Sequence, residues 1–281
     1  MQIIDGKKMQ AEILEKVREE LKRLSYTPYF TDILIGSDPV NAKYVAMKKK
    51  TAEEIGLGYK DVFFGEDATE SDVVRAIEEL NRAPGMAGII VQLPLPAGFD
   101  KDRILNAVSA DLDVDVLGKS ASEKFYNDKS TIALPTAIAV MKILDFTCPD
   151  MDEKKILILG QGPLVGKPVS HLLTGRRIVH NTVTRKTDEN EKLALLKNAD
   201  IVVSAMGVPN IIRGDMLKDG VVVIDAGTSE MEGSIVGDIE FSSVSKKASF
   251  ITPTPGGVGP VTVGCLFENV LRVAQSQANK S

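Results

Sequence analysis

Apolar positions at Ile13, Leu14, Val17, Leu21 and Leu24 recur at helical spacing and predict an amphipathic helix over Gln10–Leu24. Phe30–Ile35 is mostly apolar and closes on the turn cluster Gly36-Ser37-Asp38-Pro39, so it reads as a strand. A helix over Asn41–Ile55 follows, stopped by Gly56, and then a short strand at Lys60–Phe64. Thr69 with Asp72 three residues on is a capping-box signal, with Asp where Glu or Gln is usual; it opens a helix carrying Val73, Val74, Ile77 and Leu80. Gly88–Val91 reads as a buried strand and Asp100 as the cap of a helix through Val108. Strands and helices alternating at these lengths predict an α/β fold, with a parallel sheet covered on both faces.

Around residues 110–135 the periodicity lapses into Ser-, Asp- and Lys-containing sequence, which sets a domain boundary there. The expected domains are therefore residues 1–120 and 121–281. The second half is again βαβ-like. It reads as a helix at Pro135–Leu144, a strand at Lys155–Leu159, a glycine-rich turn and a helix from Val165 to Leu173. Strands follow at Asn181–Val183, Ile201–Ala205, Val221–Asp225 and Ser249–Ile251. A last helix carries Val263, Leu266, Phe267, Val270 and Val273, and Asn279-Lys280-Ser281 are expected to fray.

Composition narrows the function classes. The 281 residues are 43% hydrophobic, enough for roughly two domains of ~100–200 residues. A net charge of −5, 5% aromatics and no Trp lack the basic stripe and stacking surfaces that nucleic acid requires, so no nucleic-acid partner is expected. Apolar runs such as Ile132–Met141 fall short of the ~18 residues of a membrane span. The opening Met1-Gln2-Ile3-Ile4-Asp5-Gly6 lacks the regions of a signal peptide, and a cytoplasmic location is expected. Two cysteines, Cys148 and Cys265, give neither a disulfide framework nor metal spacing, and no metal is expected. His171 and His180 are the only histidines and read as structural, so catalysis has to rest on other groups.

Gly160, Gly162 and Gly166 follow a strand and open a helix. Such a turn presents free backbone N–H groups to a pyrophosphate, and glycine permits the close approach. Their spacing, G-x-G-x-x-x-G, is one residue longer than the dinucleotide fingerprint, so a tight turn without a ligand fits equally well. Thr184-Arg185-Lys186-Thr187 lies beyond the next strand, where the adenosine ribose is met in dinucleotide folds. Arg185 and Lys186 suit the 2′-phosphate of NADP; the alternative is a solvated basic turn.

Thr252-Pro253-Thr254-Pro255-Gly256-Gly257-Val258-Gly259-Pro260-Val261-Thr262 is too unusual for ordinary turn material. With it come Gly36-Ser37-Asp38-Pro39, Tyr44-x-x-x-Lys48, Val91-Gln92-Leu93-Pro94-Leu95-Pro96, Asp113-Val114-Asp115, the glycine loop through Pro168, and Gly237-Asp238. In order and spacing these resemble the bifunctional methylenetetrahydrofolate dehydrogenase/methenyltetrahydrofolate cyclohydrolase family over nearly the whole chain. The resemblance implies two α/β domains flanking a cleft. The first would bind folate, and the second would be a Rossmann-like NADP-binding domain. The C-terminal helix, about residues 260–277, would return to the first domain. It also implies a homodimer, with tetrahydrofolate one-carbon derivatives as substrates and NADP, or alternatively NAD, as cofactor.

The implied first step removes hydride from a methylene carbon held between two nitrogens, whose lone pairs stabilise the resulting cation. That step abstracts no proton, which suits a chain this poor in histidine; alignment is the protein's main task. The second step adds water to the methenyl cation and needs a titratable group. Tyr44 and Lys48, four residues apart, share a helix face. The resemblance makes Lys48 the catalytic group of hydrolysis, supported by Tyr44, Gln92 and Asp115. It lines the substrate site with Tyr44, Gln92, Leu93, Asp115, Gly259 and Pro260, and the cofactor site with Gly160, Gln161, Gly162, Arg185, Thr228 and Thr262. Lys49, Lys50 and Asp111 read as solvated surface charges. A lysine working near neutral pH needs burial or a cationic neighbour.

The chain departs from the family pattern in three places. Val116 stands where glycine follows the last Asp, which removes an easy positive φ. Gln161 replaces the loop arginine, and Arg185 occupies a position that is usually Ser, so the cation moves from one loop to the other. Pro-Cys-Thr-Pro becomes Leu134-Pro135-Thr136-Ala137. Two rival readings are a non-catalytic folate- or dinucleotide-binding protein and an unrelated NAD-dependent dehydrogenase. Retention of Tyr44, Lys48, Gln92 and Asp115 speaks against the first, and the tail motif has no place in the second.

Overall fold

The computed structural model describes residues 1–65, 67–231 and 233–279. Lys280 and Ser281, two of the three residues expected to fray, lie outside them. In chain order the elements are β1 (Gln2–Ile3), α1 (Gly6–Leu21), β2 (Tyr29–Ile35), α2 (Pro39–Ile55), β3 (Gly58–Phe64), α3 (Glu70–Leu80), β4 (Met86–Val91), α4 (Lys101–Ala107), α5 (Lys119–Tyr126) and α6 (Pro135–Thr147). Then come β5 (Ile156–Leu159), α7 (Gly166–Gly175), β6 (His180–Val183), α8 (Glu189–Asn198), β7 (Ile201–Ser204), β8 (Val222–Asp225), β9 (Ser229–Met231), β10 (Ser234–Val236), α9 (Phe241–Val244), β11 (Phe250–Ile251) and α10 (Val258–Ala278). The chain divides into two compact units: Glu12–Pro135 with Leu266–Ser281, and Met1–Ala11 with Thr136–Cys265.

In the first unit β2 is the central strand of a parallel sheet ordered β3-β2-β4. Phe30, Ile33, Ile77, Met86, Ile89 and Phe267 are fully buried around it. Local signals set the elements. Asp38 caps α2 by accepting from the Val40 and Asn41 N–H groups, Pro39 opens the helix and Gly56, at φ 78°, ends it. Thr69 and Asp72 form the capping box at the start of α3. The Leu112–Val114 segment runs beside β4, where the Ile89 N–H donates to Leu112 O at 2.8 Å. A Cβ on Gly88 would lie 2.9 Å from the Val114 side chain, so glycine is what admits this segment. On α10 the Asn269 amide donates to Val114 O at 2.8 Å and to Ala133 O at 2.7 Å, tying both stretches to the unit.

The second unit holds a six-stranded parallel sheet in the order β1-β11-β8-β7-β5-β6. Gly160 leaves β5 at φ 89°. A Cβ on Gly166 would sit 1.8 Å from Gly160 O, so the third glycine lets α7 start against the first. Asp225 and Asp238 are buried beneath the loops that follow β7 and β8. Asp238 accepts from Ser204 Oγ and from the Met206 and Val208 N–H groups, and Asp225 accepts from the Gly227, Asp238 and Ile239 N–H groups.

Several elements differ from expectation. The division falls between Pro135 and Thr136 rather than near residue 120. The stretch in between is ordered onto the first unit: α5 is fixed by Lys119 N–H to Asn106 Oδ1 at 2.6 Å and by Lys124 to Asp111 at 2.7 Å. With only Ala121 and Phe125 buried, α5 has almost no periodicity to read. The helix α8 buries only Leu196 and was equally silent. The two-residue β1 owes its state to β11, and the β9–β10 hairpin is too short for a pattern.

Candidate active site

Lys48 sits in the third turn of α2, 8% exposed despite its charge. Its ammonium donates to Gln92 Oε1 at 2.9 Å and to Asp32 Oδ1 at 2.9 Å, and lies 2.8 Å from Asp32 Oδ2. Gln92 follows β4 directly, with its own N–H bound to Ile33 O on β2 at 3.0 Å. A residue just beyond the C-terminal end of a parallel strand is thereby fixed in place while its side chain turns to α2. The Gln92 amide also reaches Asn41 Oδ1 at 3.5 Å, and Asn41 donates to Pro94 O at 3.3 Å. This chain of amides ties the start of α2 to the Gln92–Pro94 segment, whose Leu93–Pro94 bond is cis. Tyr44, one turn before Lys48, is 44% exposed and Leu93 is half-buried.

Asp32 was not singled out in the sequence, although the signal was present: a carboxylate in the middle of an otherwise apolar strand needs a partner. It is 1% exposed, and burial pushes its carboxyl up to about 6 against the pull of the Lys48 ammonium. Asp115, half-buried, is also raised by burial and pulled down by Lys48. One ammonium thus faces two carboxylates.

The other acids of the 110–118 stretch divide cleanly. Asp111 is exposed and paired with Lys124. Asp113 is buried, accepts the Gly118 N–H at 2.7 Å and holds the turn; burial raises its carboxyl to about 6. Val116 adopts φ 57° without the glycine expected there, with its side chain buried at 2% exposure. The left-handed turn after Asp115 is therefore kept, at the ~1–2 kcal/mol that such a conformation costs an L-residue. Lys49 pairs with Asp61 at 2.6 Å and lies over the Tyr59 ring, and Lys50 pairs loosely with Glu54.

The residues expected at the cofactor, together with Gly259 and Pro260 expected at the substrate, lie in the second unit. Gly162 is exposed, and a Cβ there would meet nothing within 4 Å. The Gln161 amide is engaged with Ser170 Oγ at 3.2 Å and Gly160 O at 3.1 Å. Arg185 is exposed in a turn closed by Thr184 N–H to Thr187 Oγ1 at 3.0 Å. Because β5 and β6 are parallel neighbours, this turn and the glycine loop leave the same sheet end side by side. Thr228 is exposed in the loop after β8. Gly259, Pro260 and Thr262 lie in the first turns of α10, and the Thr262 hydroxyl donates to Val258 O at 3.1 Å. His180 is engaged with Ile178 O. Among the described residues no cluster of His, Cys, Asp and Glu could hold a metal ion, and no helix is long and apolar enough to cross a membrane.

Residues 4–115 match the family description "Tetrahydrofolate dehydrogenase/cyclohydrolase, catalytic domain", and residues 134–278 match its "NAD(P)-binding domain". The chain belongs to the tetrahydrofolate dehydrogenase/cyclohydrolase family. The bifunctional protein FolD of Nautilia profundicola is 39% identical over 285 residues, covering 100% of this chain and 99% of that protein. The bifunctional FolD of Campylobacter jejuni has a similar structure, with a TM-score of 0.91, 34% identity and 99% of each chain covered. The Trypanosoma brucei FolD, solved with NADP cofactor and an inhibitor, gives a TM-score of 0.88 at 32% identity over 98% of each chain. In this family frame, the Lys48 cluster falls in the catalytic-domain match and the glycine loop in the NAD(P)-binding match.

Proposed function

We propose that the protein oxidises 5,10-methylenetetrahydrofolate to 5,10-methenyltetrahydrofolate with NADP and then hydrolyses the product to 10-formyltetrahydrofolate. The observation that carries this reading is the buried Lys48, held by Gln92 and Asp32 one turn below the exposed Tyr44, in a chain whose other unit is an NAD(P)-binding fold. The cradle fits a dinucleotide: Gly162 is open, Gly166 admits the helix start and Arg185 stands free in the adjacent turn. NADP, when bound, supplies the hydride acceptor.

The chain's own residues have three tasks. Tyr44 and Leu93 offer surface to the pterin and aminobenzoyl rings, and Gly259 and Pro260 are further substrate contacts. Asp115 accepts hydrogen bonds from the pterin N–H and amino groups. Lys48 exchanges protons as water adds to the methenyl carbon and the ring opens. Gly160, Gln161, Gly162, Thr228 and Thr262 contact the cofactor, and Arg185 meets its 2′-phosphate. Apart from Gly259 and Pro260, which lie in the unit of the glycine loop, the folate task falls to the unit containing Lys48, and the dinucleotide task falls to the other. A homodimer and a cytoplasmic location complete the reading; sedimentation of the purified protein and fractionation of cells test them.

The deciding assay follows the absorbance of reduced cofactor with methylenetetrahydrofolate, using NADP and NAD in parallel, and follows methenyl hydrolysis separately. Formation of NADPH together with loss of the methenyl absorbance is the expected result. A folded protein with neither activity refutes the reading and leaves a binding protein.

A further inference from the structure

Asp32 is given no chemical task above, only a contact, yet it is bound to Lys48 through both of its oxygens. It lies in the middle of β2, on the face of Phe30, with its side chain fully enclosed, and both carboxylate oxygens lie within 3 Å of the Lys48 ammonium. The groups facing it can be named from each neighbouring element. From α2 comes Lys48. From β3 comes Tyr59, whose phenol is raised by burial and then by the Asp32 charge; Asp61 lies in register but is exposed and engaged with Lys49. From β4 the neighbour in register is the uncharged Ile90, and beyond β4 comes Asp115. From α10 comes the apolar Phe267 against Phe30, and among the described residues Lys48 is the cation that acts on Asp32.

We infer that Asp32 is the positioning residue for Lys48: it anchors Nζ from the sheet side through both carboxylate oxygens, and its charge favours the charged form of the group it holds. The inference rests on the proposed hydrolytic role of Lys48 and adds what sets its protonation. Gln92 shares in positioning but carries no charge, so among the groups in contact with Nζ Asp32 supplies the negative charge. An opposite charge in direct contact typically displaces a titration by one to three pH units. Removing the Asp32 charge therefore disfavours the charged form of its partner, and the limb of the hydrolysis profile governed by Lys48 depends on a residue that touches no substrate.

The test compares pH profiles of kcat for both reactions in the wild type, Asp32→Asn and Asp32→Val. Asn keeps an oxygen that can accept from Nζ and removes the charge; Val suits a buried strand and removes both. The expected result is a shift of the hydrolysis limb toward lower pH by at least about one unit in both variants, with the dehydrogenase profile keeping its shape. A hydrolysis limb that stays in place in a folded variant overturns the inference, as does an equal displacement of both profiles. Should neither variant fold, the wild type decides. Protein labelled with ¹⁵N-lysine should show, near neutral pH, a protected ammonium resonance that is missing in Lys48→Met; its absence overturns the inference. A wild type that does not hydrolyse methenyltetrahydrofolate refutes the proposed function instead, and the ammonium resonance still reports on Asp32.

Discussion

At the residue scale the proposed function assigns proton movement to one group and binding to others. Lys48→Met should slow hydrolysis by ~10²-fold or more, the scale of a lost general acid–base group, while hydride transfer falls less because no proton moves in it. Equal loss of both activities in a folded variant would make Lys48 a binding residue. Asp115→Ala should weaken folate binding about tenfold to a hundredfold, the worth of one charge-assisted contact at ~1.5–3 kcal/mol, with NADP affinity in the free enzyme unchanged. Unaltered folate affinity by titration would exclude that contact. Arg185→Ala should lower the NADP-to-NAD ratio of kcat/KM by about tenfold, the lower end of the same range. Gln161 cannot help, because it is neutral and its amide is engaged with Ser170. Arg185 is exposed, so rising salt should erode the preference in the wild type and leave the variant flat. A ratio insensitive to the substitution would leave Arg185 a solvated turn residue. Lys48 and Gln92 were visible in the sequence as motif positions, whereas Val116 pointed away from the left-handed turn that it nevertheless adopts at φ 57°. Asp32 was not visible, because a single acid in a strand shows its importance only when its partner, sixteen residues on, is seen beside it.

At the element scale, strong local signals were the legible ones. The Thr69–Asp72 box, the Asp100 cap and the Gly56 stop each appear where the sequence put them, because each acts within a few residues of itself. Elements defined by a distant partner, such as β1, or with little buried surface, such as α8, left no periodic trace. Thr69→Ala should cost about 0.5–2 kcal/mol by removing the hydroxyl that accepts the Asp72 N–H. An unchanged urea midpoint would show that the reciprocal carboxylate alone suffices. Asn269→Ala is the more damaging change, since it strips the partner from two carbonyls, those of Val114 and Ala133. Leaving a buried acceptor unpaired costs about 1–3 kcal/mol. Because Val114 adjoins Asp115, folate affinity should fall along with stability; stability loss with native folate affinity would separate α10 from the aim of that loop.

At the scale of the whole molecule, buried carboxylates set the pH response. Asp32, Asp113 and Asp225 are each raised to about 6, chiefly by burial, from an ordinary value of 3.8. Between those values the folded state binds more protons than the unfolded chain, so stability rises as pH falls through about 6 and the penalty is complete above it. Asp72 and Asp200 are lowered and act in the opposite sense, but their contribution is lost only as pH drops below about 4. The urea midpoint should therefore be higher at pH 5 than at pH 7.5, and the reverse order would show that these carboxylates do not govern the balance.

The backbone passes from one unit to the other three times, at residues 11/12, 135/136 and 265/266. No single cut yields two modules, and a gene fragment encoding residues 1–120 or 121–281 would carry pieces of both. Recombination could exchange the dinucleotide half only by joining at three places at once. By contrast, the glycine loop at residues 160–166 and the turn at 184–187 fall inside one uninterrupted stretch, Thr136–Cys265. With this connectivity, point substitutions within that one stretch can alter both loops without touching the three crossings.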